Sequence, residues 1–92
     1  MSDSRKLQDI SGIGTATLAD LKLLGVHSVA DLAEQKGEEL YRRLCNAKGI
    51  KVDICCLDVL VCAVAQARDP LLSQEQRNWW YWSRLRKSNL KG

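Results

Sequence analysis

Residues 52–67 read VDICCLDVLVCAVAQA, and Asp53, Asp58 and Gln66 are the only polar side chains among them. A helix that is apolar nearly all round has no face to give to water, so it belongs in the middle of its domain with the other elements around it. The stretch is too short to span a bilayer, which takes about 18 apolar residues or more. With 92 residues in all, the chain makes one small domain, residues 1–92, with frayed ends at about 1–4 and 88–92. Asp58 is the odd residue in this segment. It is expected on the one solvent-facing edge of the helix; burial beside a basic or backbone partner is the second option and a catalytic role the third. Arg68-Asp69-Pro70 ends the helix, because the residue before proline disfavours the α conformation.

Around this segment the pattern is helical throughout, with no strand-like alternation, so the fold class is all-α. A short helix over residues 5–10 is broken at Ser11-Gly12-Ile13-Gly14, since two glycines so close are costly in a helix. Thr15 opens the next helix, which carries Leu18, Leu21 and Leu24 on one stripe and ends at Gly25. Ser28 caps a short third helix with Asp31 as its partner, and Val29, Leu32 and Ala33 face inward. Gly37 breaks that helix. A fourth, over residues 38–47, places Leu40, Tyr41 and Leu44 at helical spacing and ends at Gly49. Ser73 with Gln76 fits a capping box, which predicts a last helix running from there through NWWYWSRLRK to about Lys87. Trp79 and Trp82 share a stripe with Leu85 and are expected to dock on the body, leaving Trp80 and Tyr81 to point elsewhere.

The net charge is +3, and its distribution matters more than its size. Residues 1–67 carry eight basic and nine acidic side chains, whereas residues 68–92 carry six basic and two acidic. The basic character therefore sits toward the C-terminus, whereas a strongly electrostatic nucleic-acid binder carries a basic face within its folded body. The polar opening MSDSRKLQD has no apolar core of a secretory signal, and a cytoplasmic protein is expected. Cys45, Cys55, Cys56 and Cys62 are then reduced. They are read as small buried hydrophobes. A zinc site with His27 lacks the usual ligand pairs, and a nucleophilic cysteine would depend on that one histidine. No metal, no cofactor and no enzymatic activity are expected, because nothing pairs nucleophile, base and acid.

Ile10-Ser11-Gly12-Ile13-Gly14 followed by an amphipathic helix resembles the helix-hairpin-helix motif: hydrophobic, any residue, glycine, hydrophobic, glycine, helix. A second Gly-Ile pair, Gly49-Ile50, opens the next apolar helix, with Lys51 where the first corner has Gly14, and suggests an internal duplication. Residues 7 to about 83 are similar to a small bacterial helix-hairpin-helix family, the pathogenicity-locus family, which includes mitomycin-resistance-like proteins. The matching pieces are Leu24-Gly25-Val26, residues 28–32, Glu39-Leu40-Tyr41, Asp53, Cys55, Leu57-Asp58, Ala63-Val64 and residues 79–82. The middle of the chain is also similar to the C-terminal domain of competence regulators. The resemblance implies a compact five- to six-helix domain with tandem helix-hairpin-helix, or SAM-like, architecture, and no established reaction. DNA-binding members of the motif class carry a small residue four after the second glycine and often a cation just after the hairpin. Leu18 stands at the first place here, and Thr15, Ala16 and Thr17 at the second.

Two functions are left open. In the first, the chain binds double-stranded DNA weakly and without sequence preference. Amides of Gly12, Ile13, Gly14 and Thr15 meet a phosphate at a helix start, the Thr15 and Thr17 hydroxyls assist, and Lys48 and Lys51 serve a second phosphate. In the second, the hairpin is only a corner and the chain is a protein-interaction module. Trp80, with Arg77 and Arg84 on its side of the last helix, is a candidate partner or base-stacking surface. No membrane contact is expected.

Overall fold

The apolar segment forms α4 (Ile54–Arg68), and α2 (Val29–Ala33), α3 (Gly37–Lys48) and α5 (Trp79–Leu90) all pack against it. With α1 (Thr15–Leu23) they make five helices, supplemented by 3-10 turns at Leu7–Asp9 and Glu75–Arg77, and the described residues contain no strand. This is a computed structural model that describes residues 5–90. Of the ends expected to fray, 1–4 and 88–92, residues 1–4 and 91–92 lie outside the described residues, while 88–90 are helical: the backbone of α5 continues through Leu90, past the predicted end at Lys87.

One core runs from the Leu7–Asp9 turn through α1, α2, α3 and α4, and α5 packs on α4 beside it. Leu21, Leu32, Leu40, Leu44 and Ala63 are fully buried, and Leu7, Ile10, Ile13, Val26, Val29 and Leu60 close round them. Burying each such aliphatic side chain contributes roughly 1.5–3 kcal/mol. Helix ends are set as the sequence suggested. Gly25 takes φ +83°, and the amides of Gly25 and Val26 bond back to Lys22 and Leu21, a Schellman end that satisfies the last carbonyls of α1. Ser28 Oγ accepts the Asp31 amide at 3.0 Å, and the His27 amide donates to the Asp31 carboxylate. Gly49, at φ +68°, closes α3.

Four local expectations are corrected. The first helix is a single 3-10 turn, Leu7–Asp9, held by Asp9 accepting the Lys6 amide at 2.9 Å. Gly37 opens α3 instead of breaking α2: it is buried, and a Cβ placed on it would lie 2.6 Å from Val61 Cα. Its role is to let two helices touch. Asp58 does not face solvent; it is 2% exposed and takes both arms of Arg86, at 2.9 and 3.0 Å. A buried carboxylate needs such a partner, and the bidentate pair ties α4 to α5. The last helix does not run unbroken from Ser73. The Ser73–Gln76 cap forms, but it closes only the Glu75–Arg77 turn, and Asn78 is extended. The break frees the Gln76 carbonyl to accept the Trp82 indole N–H at 2.8 Å.

The orientation of α5 follows from these bonds. Trp82, Ser83 and Arg86 face α4, with Ser83 buried at the contact. Trp79, expected on that face, is 39% exposed because it stands in the first turn at the margin of the stripe.

Candidate phosphate-binding corner

The first corner is built from a 3-10 turn, two glycines and the start of α1. Gly12 has φ +91°, a left-handed conformation that favours glycine. Ile13 turns inward and is buried, so the corner is anchored on both sides by apolar residues, Ile10 and Ile13. A second anchor was not legible in the sequence. Gln66, buried near the end of α4, grips Ser11 with its side-chain amide: Oε1 accepts the Ser11 amide at 3.0 Å and Nε2 donates to the Ser11 carbonyl at 2.9 Å. The only sign of this was a polar residue in an otherwise apolar run.

The clamp fixes which amides remain. Ser11 gives its N–H to Gln66 and Ile13 gives its own to Ile10. The amides of Gly12, Gly14 and Thr15 find no protein acceptor among the described residues, as is usual for the first turn of a helix. Gly14 and Thr15 are exposed, and Thr17 is half-buried one turn on. Gly14 has φ −91° and ψ −173°, and an added Cβ there would meet nothing within 4 Å. Neither backbone geometry nor packing asks for glycine at this place.

The second corner, Gly49 to Asp53, differs in three respects. Ile50 is 62% exposed where Ile13 is buried. Asp53 caps α4 by accepting the Cys55 amide at 2.9 Å, so a carboxylate already occupies this helix start. The Cys55 bond holds the Asp53 carboxyl below the usual range. Lys48 is bound to Asp20 of α1 at 3.0 Å, and Lys51 is exposed. The two corners also stand apart. Ser11 sits at Gln66, whereas α4 begins at Ile54, which is about 18 Å along the helix at ~1.5 Å per residue. The structure thus groups Gly12, Ile13, Gly14 and Thr15, turns Thr17 toward a small cavity shared with Asp20, Cys56 and Leu60, brings Lys48 to Asp20 one turn beyond Thr17, and leaves Lys51 exposed before the start of α4.

Three arginines of the body are committed to helix C-termini, where cations are favourable. Arg5 donates to the Gln66 and Ala67 carbonyls, Arg43 to Leu24, and Arg68 to Ala33 and Gln35. On α5, the Arg84 guanidinium lies 4.5 Å from the Trp80 ring centroid, and Trp80 is exposed. Glu75 stands 3.9 Å from Arg84. Arg77 is not part of that group: its Nε donates to the Leu72 carbonyl, and it lines a cavity with Ser11, Gln66 and Asp69.

Of the cysteines, Cys62 is buried, Cys45 and Cys56 are half-buried, and Cys55 is exposed, so the expectation of four buried thiols is corrected at Cys55. Its place at the first turn of α4 explains the exposure. Cys55 is pushed above the ordinary thiol value chiefly by its bond to Asp53, and Cys56 and Cys62 by burial. A raised thiol is a poor nucleophile at neutral pH. Among the described residues no three His, Cys, Asp or Glu side chains gather into a metal-holding group, and no helix is long and apolar enough to cross a membrane.

A central apolar helix, a clamped glycine corner and arginine-capped helix ends define a small all-α domain. The chain belongs to the pathogenicity-locus family (Cdd1), whose model matches residues 1–88. It is similar to the mitomycin resistance protein McrB of Streptomyces lavendulae, at 31% identity over 91 residues, covering 99% of this chain and 83% of that protein. No solved structure matches the chain.

Proposed function

We propose that this chain binds double-stranded DNA weakly and without regard to sequence, through the backbone amides of a helix-hairpin-helix corner at residues 11–15. The observation that carries the reading is Gly14. Gly12 is accounted for by its positive φ, but Gly14 has an ordinary backbone and open space where a Cβ would stand. What its missing side chain does leave is a clear approach to the amides of Gly14 and Thr15, at the positive end of α1. The Gln66 clamp holds that approach in place without ligand, which lowers the ordering cost of binding. The Thr15 and Thr17 hydroxyls add neutral hydrogen bonds, and Lys51 is the open cation of the second corner. With ~2 phosphates neutralised, affinity is micromolar or weaker and falls on the order of tenfold between 50 and 200 mM salt. No side chain of the corner reaches for base edges, so sequence is not read. The reading assigns the chain no reaction and places it in the cytoplasm.

Gly14→Ser tests it. Serine is a better helix N-cap than glycine by a few tenths of a kcal/mol, so melting is unchanged or slightly raised while duplex affinity falls. Unchanged affinity removes Gly14 from the interface.

The second reading is a protein-interaction module. Its support is α5, where Trp79, Trp80 and Leu85 are all exposed and Arg84 stacks on Trp80. Aromatic and arginine side chains of this kind carry much of the energy of protein interfaces.

A further inference from the structure

A second cleft, of about 390 Å³, opens between the Leu7–Asp9 turn, α1 and the connection from α1 to α2. Its titratable lining is entirely basic: Arg5, Lys6, Lys22 and His27, over a floor of Leu7 and Leu18. The Asp9 and Asp31 carboxylates accept the main-chain amides of Lys6 and His27 and are not among the lining residues. Arg5 is directed at the end of α4. That leaves Lys6 and Lys22, both exposed, and neither forms an ion pair among the described residues. Ser28 lines the same cleft; its Oγ accepts the Asp31 amide and keeps its own proton to donate.

Lys22 alone has an ordinary explanation, because a cation in the last turn of a helix meets the negative end of the helix dipole. That does not account for Lys6 and His27 facing the same space from two other segments. The Lys6 and Lys22 ammonium groups, brought to one cleft, repel each other, and an anion between them is attracted to both.

The cleft also lies on the helix that the corner begins. Eight residues separate Gly14 from Lys22, which is about 12 Å of helix at ~1.5 Å per residue. One strand of a duplex advances ~3.4 Å per phosphate along its axis, so the interval corresponds to roughly three to four phosphates. We infer that the Lys6–Lys22 cleft is a phosphate site that continues the grip of the first corner along α1, with Lys6 and Lys22 supplying the cations that the hairpin itself lacks. This rests on the duplex-binding reading and names the side chains that carry its salt dependence. Lys48, whose charge is paired with Asp20, and Lys51, in the second corner, carry less of it.

The test is fluorescence anisotropy of a labelled duplex over a salt series, with wild type, the Lys6→Gln/Lys22→Gln double variant and Gly14→Ser side by side. Inorganic phosphate is titrated separately into isotope-labelled protein. The double variant melts like wild type, because both lysines are exposed, and its salt slope is flatter by about 1.8. Gly14→Ser weakens binding and keeps the slope. A double variant with wild-type affinity and slope overturns the cleft and leaves the corner reading standing. A weakened double variant beside an unaffected Gly14→Ser keeps the cleft and ends the corner reading. If wild type binds no duplex even at low salt, the parent reading fails and the cleft is decided by inorganic phosphate alone. Amide shifts at His27 and Ser28 that vanish in the double variant keep the site and replace its source; no shifts overturn it.

Discussion

Replacing Gly37 by alanine puts a methyl carbon 2.6 Å from both Cα and Cγ2 of Val61 and 2.8 Å from the Val61 nitrogen, where ordinary contact begins at 3.4 Å. Two of the three offended atoms are backbone, so a rotamer change at Val61 cannot relieve the clash. α3 must move off α4 by about 0.8 Å along this contact, the difference between those distances. Overpacking a core typically costs 1–3 kcal/mol, and a backbone displacement belongs at the upper end, about 3. Alanine returns up to ~1 kcal/mol of helix propensity. The net loss is about 2 kcal/mol. For a domain of this size that lowers Tm by roughly 8–16 °C and moves the urea midpoint by about 2 M if m is ~1 kcal/mol/M. Gly14→Ser is the control: its φ is −91°, its surroundings are open and serine keeps the helix cap, so melting stays within about 0.5 kcal/mol of wild type. Val61→Ala in the Gly37→Ala background removes Cγ2 but not Cα, and restores part of the loss. A Gly37→Ala protein that melts at or above wild type refutes the close-packing account of this glycine.

Three further outcomes follow from single contacts. Arg86→Ala leaves the Asp58 carboxylate buried without its partner, at a cost of about 3–5 kcal/mol by urea denaturation; a loss below ~1 kcal/mol contradicts the lock between α4 and α5. The Asp53 carboxyl is held below its ordinary value by the Cys55 amide. Its contribution to stability is therefore present above the ordinary Asp value and is lost as pH falls through the lowered one, and Asp53→Asn removes this part of the acid dependence while keeping a cap; an unaltered acid limb in Asp53→Asn counts against it. Trp82→Ala, which loses the indole bond to Gln76 and its packing, lowers stability by about 3 kcal/mol or more, whereas Trp80→Ala, on the exposed side, leaves melting within about 0.5 kcal/mol of wild type. Equal losses in the two variants would end the idea that Trp80 is available to a partner.

The elements that sequence made legible are those whose causes are local. Leucine spacing placed α1 and α3, Ser28 with Asp31 placed the start of α2, and Gly25 and Gly49 placed two helix ends. The apolar run at 52–67 gave the central helix and with it the all-α class. What sequence did not disclose depends on pairs far apart in the chain. Asp58 is buried because Arg86 reaches it across 28 positions, and Gln66 is polar in an apolar helix because it holds Ser11 from 55 away. Gly37 looked like a helix break because the pattern of α3 carries no mark of Val61 lying against it. The candidate site divided along the same line. The glycine corner is a local motif and was visible. The basic cleft was hidden in a charge count, because Lys6 and Lys22 were offset on paper by Asp9, Asp20 and Asp31, whose carboxylates in the fold are turned to other groups.

The central claim is that the first corner meets phosphate through neutral amides. It is tested most directly by the salt dependence of duplex binding in wild type and Thr15→Lys, measured with two duplexes of unrelated sequence. Thr15 is exposed at the start of α1, so the substitution adds a cation at the corner and costs the fold little. The account predicts micromolar or weaker wild-type binding that is the same for both duplexes, and a Thr15→Lys protein that binds more tightly with a slope steeper by about one unit. Absence of duplex binding at low salt in both proteins contradicts it, and makes Gly12-Ile13-Gly14 a structural corner alone.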